Sequence, residues 1–152
     1  MQLTKGIRRI LSETVVKVHP DNYAIVYIDP SEADVANKLL SEESEFLSLT
    51  FTREEVSVVM KASDWEKVMG KFRSYKVAAP YRLITFDIVL DLSIVGFLSV
   101  VSAALAADGV SIYALSTYLK DHILVKEEDA GKAVRVLDGL INEAKRGPPN
   151  NG

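Results

Sequence analysis

The chain has 152 residues, no cysteine and a formal net charge of −3, which excludes a disulfide framework and a thiolate metal site and gives no general attraction to nucleic acid. Its 48% hydrophobic and 26% charged content is that of a globular protein able to bury a core, and the lack of thiols suits a reducing, cytoplasmic setting. No apolar run reaches the roughly 18 residues that would span a membrane; the nearest, Ile94 to Ala107, is shorter and broken by serines.

From Met1 to Thr14, Lys5, Arg8 and Arg9 are scattered among Ile7, Ile10 and Leu11. Glu13 and the brevity of the segment argue against a presequence, so residues 1–14 read as an N-terminal tail or frayed helix. Val15 to Val18 predicts a short strand, and Pro20-Asp21-Asn22 turns the chain into a second, alternating strand, Tyr23 to Asp29. After the Pro30-Ser31 break, Glu32 to Leu40 puts Val35, Ala36, Leu39 and Leu40 on one helical face. Glu42, Glu43 and Glu45 then read as a solvated connection. Phe46 to Phe51 and Val56 to Met60 form a hairpin about Thr52-Arg53-Glu54-Glu55. Ser63-Asp64-Trp65-Glu66 has capping-box spacing and predicts a short helix ending at Gly70, with Trp65 as a core or interface anchor.

The second half repeats this order. Lys71 to Pro80 reads as the link, and Ile84, Phe86, Ile88 and Leu90 alternate along a strand from Arg82 to Leu90. Asp91, Ser93 and Gly96 make a polar entry to an apolar helix, Ile94 to Asp108, terminated by Gly109. A hairpin from Val110 to Lys126 follows. The last helix, Glu128 to Ala144, carries Ala133, Val136, Leu137, Leu140 and Ile141 on one face, and 146–152 is a tail. The units span 15–79 and 80–145. Each is a β-α-β-β-α run, the ferredoxin-like order short of one strand, and the spare segments Val15 to Val18 and Lys76 to Ala79 can supply those strands, within each unit or crosswise between them; the sequence leaves the pairing open. The helix from Ile94 is apolar nearly all round. Its outer side needs cover from the other unit or from a second chain in a homodimer.

Catalytic chemistry has little to stand on. His19, placed before a proline turn, reads as solvent-facing, and His122 belongs to no triad or metal-ligand pattern. The glycines are not spaced to cradle a phosphate chain, so neither cofactor nor metal is expected. An α-amino acid presents a carboxylate and an ammonium side by side. The loop Asp91-Leu92-Ser93-Ile94-Val95-Gly96 offers backbone donors at Ile94, Val95 and Gly96 with an acid in Asp91, and Ser93 supplies a hydroxyl. Ser116 to Asp121 adds hydroxyls, an aromatic ring and a second carboxylate. For Asp91 and Ser93 the competing role is helix capping, and for Asp121 it is stabilisation of its own turn.

Gly96-Phe97-Leu98, Gly109-Val110-Ser111-Ile112, Ser116-Thr117-Tyr118-Leu119-Lys120-Asp121 and Ile123-Leu124-Val125 resemble the C-terminal half of small tandem ACT-domain proteins. These proteins are related to the CASTOR arginine sensors and to aspartate kinase regulatory domains. Phe51 to Val59 is similar to the family's first-half hairpin, and the resemblance runs from about Val15 to Leu140. It implies an α+β fold of two tandem βαββαβ units, with antiparallel sheets and helices on one face. It also implies a non-catalytic regulatory or sensor protein, which holds an amino acid or related metabolite at an inter-unit interface and passes the binding state to a regulated partner. In such sites positions matching Thr117, Tyr118 and Asp121, with the loop around Gly96, help hold the ligand. Lys120 departs from the pattern, for relatives carry a small polar residue there; its charge repels an arginine-like side chain or pairs with an acidic one. The alternative is a ligand-free interaction module with the same fold.

Overall fold

The computed structural model describes residues 3–40 and 45–148; Glu42, Glu43 and the end of the C-terminal tail lie outside them. In chain order the elements are α1 (Lys5–Glu13), β1 (Val15–Ile28), α2 (Ala33–Leu39), β2 (Ser48–Phe51), β3 (Val56–Lys61), α3 (Ala62–Val68), β4 (Tyr75–Asp87), α4 (Phe97–Ala107), β5 (Tyr113–Ser116), β6 (Asp121–Lys126) and α5 (Ala130–Arg146). They divide into two compact units: an inserted unit, Pro20–Arg82, and a terminal unit made of Met1–His19 and Leu83–Gly152. The chain passes from one unit to the other inside β1 and again inside β4. Each long strand therefore serves both units, which is how each acquires the strand that its own β-α-β-β-α run lacks.

In the terminal unit the strand order is β1-β4-β6-β5, and β5 and β6 form an antiparallel hairpin with Tyr113 opposite Leu124 and Ser116 opposite Asp121. Alternation decides what faces the helices. Ile84 and Phe86 of β4 and Ile123 and Val125 of β6 join Ile7, Leu11, Phe97, Val101, Leu105 and Leu137 in one core, while Thr85 and His122 point to the other face. Phe86 and Phe97 meet edge to face at 5.4 Å between centroids, tying β4 to the first turn of α4.

The inserted unit runs β2-β3-β1-β4, with Val58 opposite both Val26 and Leu49. Its core gathers Ala24, Val26, Ile28, Ala36, Val56, Val58 and Met60 around Trp65, which stacks on Phe72 at 5.5 Å and takes the edge of Tyr75 at 5.2 Å. Trp65 is the core anchor that its apolar area predicts.

The repeat extends to hydrogen bonds. Asp29 Oδ1 accepts from Ser31 N and Oγ just as Asp91 Oδ1 accepts from Ser93 N and Oγ, so each β-to-α loop opens on the same Asp-x-Ser turn. Likewise Thr52 N donates to Glu55 O at 2.9 Å and Thr117 N to Lys120 O at 2.9 Å. The two hairpins share one turn.

Several sequence expectations change. The N-terminal segment is not a tail: Thr4 Oγ1 caps α1 by accepting from Ile7 N at 3.2 Å, and Ile7 and Leu11, one turn apart, are buried in the terminal unit's core. Pro20-Asp21-Asn22 does not break β1. Its pairing with β3 begins only at Tyr23, so the missing Pro20 N–H costs that ladder nothing. Ser63 caps nothing, because α3 starts directly at the end of β3 with Lys61 at its N-cap. The apolar helix begins at Phe97 rather than Ile94, since Gly96 has φ of +96° and Ile94 N donates to Asp91 O at 3.0 Å. In the same unit α1 and α5 supply residues to the core that α4 enters, and α4 leaves Ser99, Ala106 and Ala107 exposed, residues too small for a large apolar face.

Candidate functional site

Within the terminal unit, a cavity of about 280 Å³ lies between the β4-to-α4 loop and the β5-to-β6 turn. The loop side is Leu90, Asp91, Leu92 and Ile94, followed by the first turn of α4 from Gly96 to Ser99; the turn side is Ser116, Thr117, Tyr118, Lys120 and Asp121. Leu90 N donates to Leu119 O at 2.8 Å, fastening the two walls together.

Six of the eight residues expected from the sequence line this one cavity: Asp91, Ile94, Gly96, Thr117, Tyr118 and Asp121. Ser93 and Val95 do not. The Ser93 hydroxyl turns back onto Asp91, and Val95 is 86% exposed. The Ile94 amide, expected as a ligand donor, is spent within the loop on Asp91 O. One step later α4 starts on Gly96 in the left-handed region with no side-chain cap, and Phe97, Leu98 and Ser99, whose amides have no intrahelical partner, are among the residues that line the cavity.

The two acids are held differently. Asp91 Oδ1 accepts from Ser93, and those hydrogen bonds, side chain first and backbone second, hold its carboxyl below the usual range. Asp121 Oδ1 accepts from Ser116 Oγ at 2.6 Å across the hairpin. Lys120 lines the cavity, yet its Nζ lies 2.6 Å from Asp87 Oδ1, so its charge is met by a carboxylate of β4. That contact lowers the Asp87 pKa, through the hydrogen bond first and the charge second. The site thus combines amide donors, two carboxylates, a neutralised cation and the ring of Tyr118, which is 77% exposed at the rim. Ser116 and Lys120 belong to the turn that the sequence singled out. Phe97 and Leu98 belong to the Gly96-Phe97-Leu98 motif of the resemblance, whereas Leu90 and Ser99 enter only through the fold, and no chemical signal in their types marks them.

His19 departs most from expectation. It is 6% exposed, and its Nε2 lies 2.8 Å from Thr85 Oγ1. No group of three or more metal-ligating side chains occurs among the described residues, and no helix among them is long and apolar enough to cross a membrane.

An antiparallel sheet with helices on one face, built twice as βαββαβ through shared strands, defines an α+β protein of the ferredoxin-like class. Residues 77–138 match the family model of the ACT domain. Its fold is similar to that of a Vibrio cholerae protein of unknown function described as a possible transport protein (TM-score 0.70, 20% identity, 90% of this chain and 97% of that one). It is also similar to Clostridium acetobutylicum aspartate kinase, an allosteric enzyme (TM-score 0.68, 17% identity, 84% of this chain but 34% of that one). The regulatory subunit of aspartate kinase from Thermus flavus shares the fold as well (TM-score 0.60, 15% identity, 82% of this chain and 95% of that one). A comparison with curated proteins found no match.

Proposed function

We propose that the chain binds an amino acid or a related small zwitterion in the cavity of the terminal unit, and that it acts as a non-catalytic regulatory or sensor module. The observation that carries this reading is the convergence of uncapped α4 amides with the Asp91 and Asp121 carboxylates around one cavity. A ligand carboxylate suits the amides, because they carry partial positive charge and lack intrahelical partners. An ammonium group suits the acids. The likeness of fold to aspartate kinase regulatory chains supports the regulatory part. Binding shifts a conformational equilibrium only by its differential affinity for the two states, and a regulated partner's affinity changes by the same coupling energy.

Leu92 and Tyr118 of the cavity lining and their near neighbours in sequence Val95 and Leu119 are all more than half exposed. These apolar side chains favour cover by a second copy or by the regulated protein when the ligand is in place. They equally favour the second reading, an interaction module that holds its partner without a ligand. Isothermal calorimetry of the full chain against the twenty amino acids separates the two. The sensor gives a stereospecific isotherm that Asp121→Ala abolishes while circular dichroism stays native. Absence of heat across the panel at millimolar concentration contradicts the sensor and leaves the interaction module.

A further inference from the structure

A chain of polar side chains, buried as far as His122 and exposed at Thr117, runs from the terminal unit's sheet into the turn that forms one cavity wall. His19 Nε2 is 2.8 Å from Thr85 Oγ1, Thr85 Oγ1 is 2.8 Å from His122 Nδ1, and His122 Nε2 is 3.2 Å from Thr117 Oγ1. Thr117 Oγ1 in turn donates to Lys120 O at 3.1 Å. His19, Thr85 and His122 are 6%, 6% and 7% exposed, on the sheet face opposite the helices.

The end of the chain fixes its direction. A carbonyl can only accept; with the Thr117 hydroxyl proton on Lys120 O, Thr117 Oγ1 accepts from His122 Nε2–H. A neutral imidazole with its proton on Nε2 presents Nδ1 as an acceptor. Thr85 O–H therefore donates to His122 Nδ1, and Thr85 Oγ1 accepts from His19 Nε2–H. Every link is satisfied when both rings are neutral Nε2–H tautomers. A proton added at His122 Nδ1 puts a donor against the Thr85 O–H, which must rotate away inside a buried site.

We propose that His122 is a positioning residue for the cavity, setting the Thr117 hydroxyl and the turn that carries it according to the proton state of the His19-Thr85-His122 chain. The proposal rests on the reading of that turn as a ligand wall. The charges acting on His122 are those of His19 on β1 and of Lys120 and Asp121 at the turn; by strand alternation Lys17 on β1, Asp87 on β4 and Tyr113 on β5, two residues from its register partner Leu115, share that sheet face. Burial holds the His122 pKa below 6.5, the His19 charge adds to this and Lys120 adds slightly, while Asp121 opposes them. Acidification through that lowered pKa loosens the turn.

The test uses the full chain without ligand, so its failure is distinct from a failure to bind amino acids. Long-range 1H–15N spectra of the two imidazoles, assigned with His19→Gln, should show Nε2–H tautomers for both rings at pH 7.5 and a His122 midpoint below 6.5. Backbone amides of Tyr118 and Leu119 should titrate with the His122 midpoint, and that response should vanish in Thr117→Val while His122 still titrates. An Nδ1–H tautomer at His122 overturns the proposal. So does a turn titration that survives in His122→Gln, because the Asp121 carboxylate would then be its source.

Discussion

At the scale of single residues, Gly96 and Lys120 decide what the cavity offers. Gly96 sits at φ of +96°, and a Cβ built there meets only the Ile7 side chain, Cγ1 at 3.8 Å and Cδ1 at 4.0 Å, so space does not exclude a side chain. The conformation does. Gly96→Ala should cost about 1–2 kcal/mol, the usual left-handed penalty, measured as a shift of the urea midpoint at unchanged slope. Lys120→Ala removes a pair whose side chains are 32% and 50% exposed, and should leave the urea midpoint nearly unchanged while letting the Asp87 pKa rise toward its ordinary value. The sequence showed Asp91, Gly96, Thr117, Tyr118 and Asp121 as residue types suited to a zwitterion. It could not show that Ser93 would spend its hydroxyl on Asp91, because that choice lies in loop dihedrals that composition and spacing do not encode.

At the scale of elements, α1 tests how far local reading reaches. Its nine residues carry only two strongly buried side chains, Ile7 and Leu11, and a segment so short and basic looks like a tail because an isolated helix of that length is marginal in water. Tertiary burial supplies what propensity lacks. Leu11→Ala should therefore cost about 2–5 kcal/mol in chemical denaturation, as for a core leucine, whereas a loose tail would register nothing. From β1 to α5 the order of strands and helices was legible, because the strands alternate, α2 and α5 each keep one apolar face, and α4 is an apolar run bounded by Gly96 and Gly109. The unbroken course of β1 through Pro20 was not, since the signal for a turn is local and the β3 partner that begins at Tyr23 is distant in sequence.

At the scale of the whole molecule, the buried groups shape the response to pH. His122 is depressed in the fold, so the unfolded chain binds more protons between that lowered pKa and about 6.5, and stability falls as pH drops through this window. The lowered carboxylates of Asp29, Asp87 and Asp91 add stability that is present above about 3.9 and lost below it. Melting temperatures across pH 3 to 8 should thus decline in two stages on acidification, and His122→Gln should remove the upper one. Tyr23 works in the opposite direction: burial first, then Glu45, Asp21 and Asp64, push its phenol up to about 12, so its contribution is complete below pH 10 and fades above it. The burial of His19 was not legible in the sequence, because the neighbouring proline signals an exposed turn and not a strand that continues past it.

The most direct measurement is amide chemical-shift mapping of the full chain during titration with whichever amino acid stabilises it most in a thermal screen, where about 100 times Kd should add roughly 2.7 kcal/mol. Ligand in the terminal unit's cavity predicts shifts concentrated at Gly96 to Ser99 and Thr117 to Asp121, lost in Asp121→Ala. Shifts centred elsewhere, or no stabilisation by any amino acid, would contradict it.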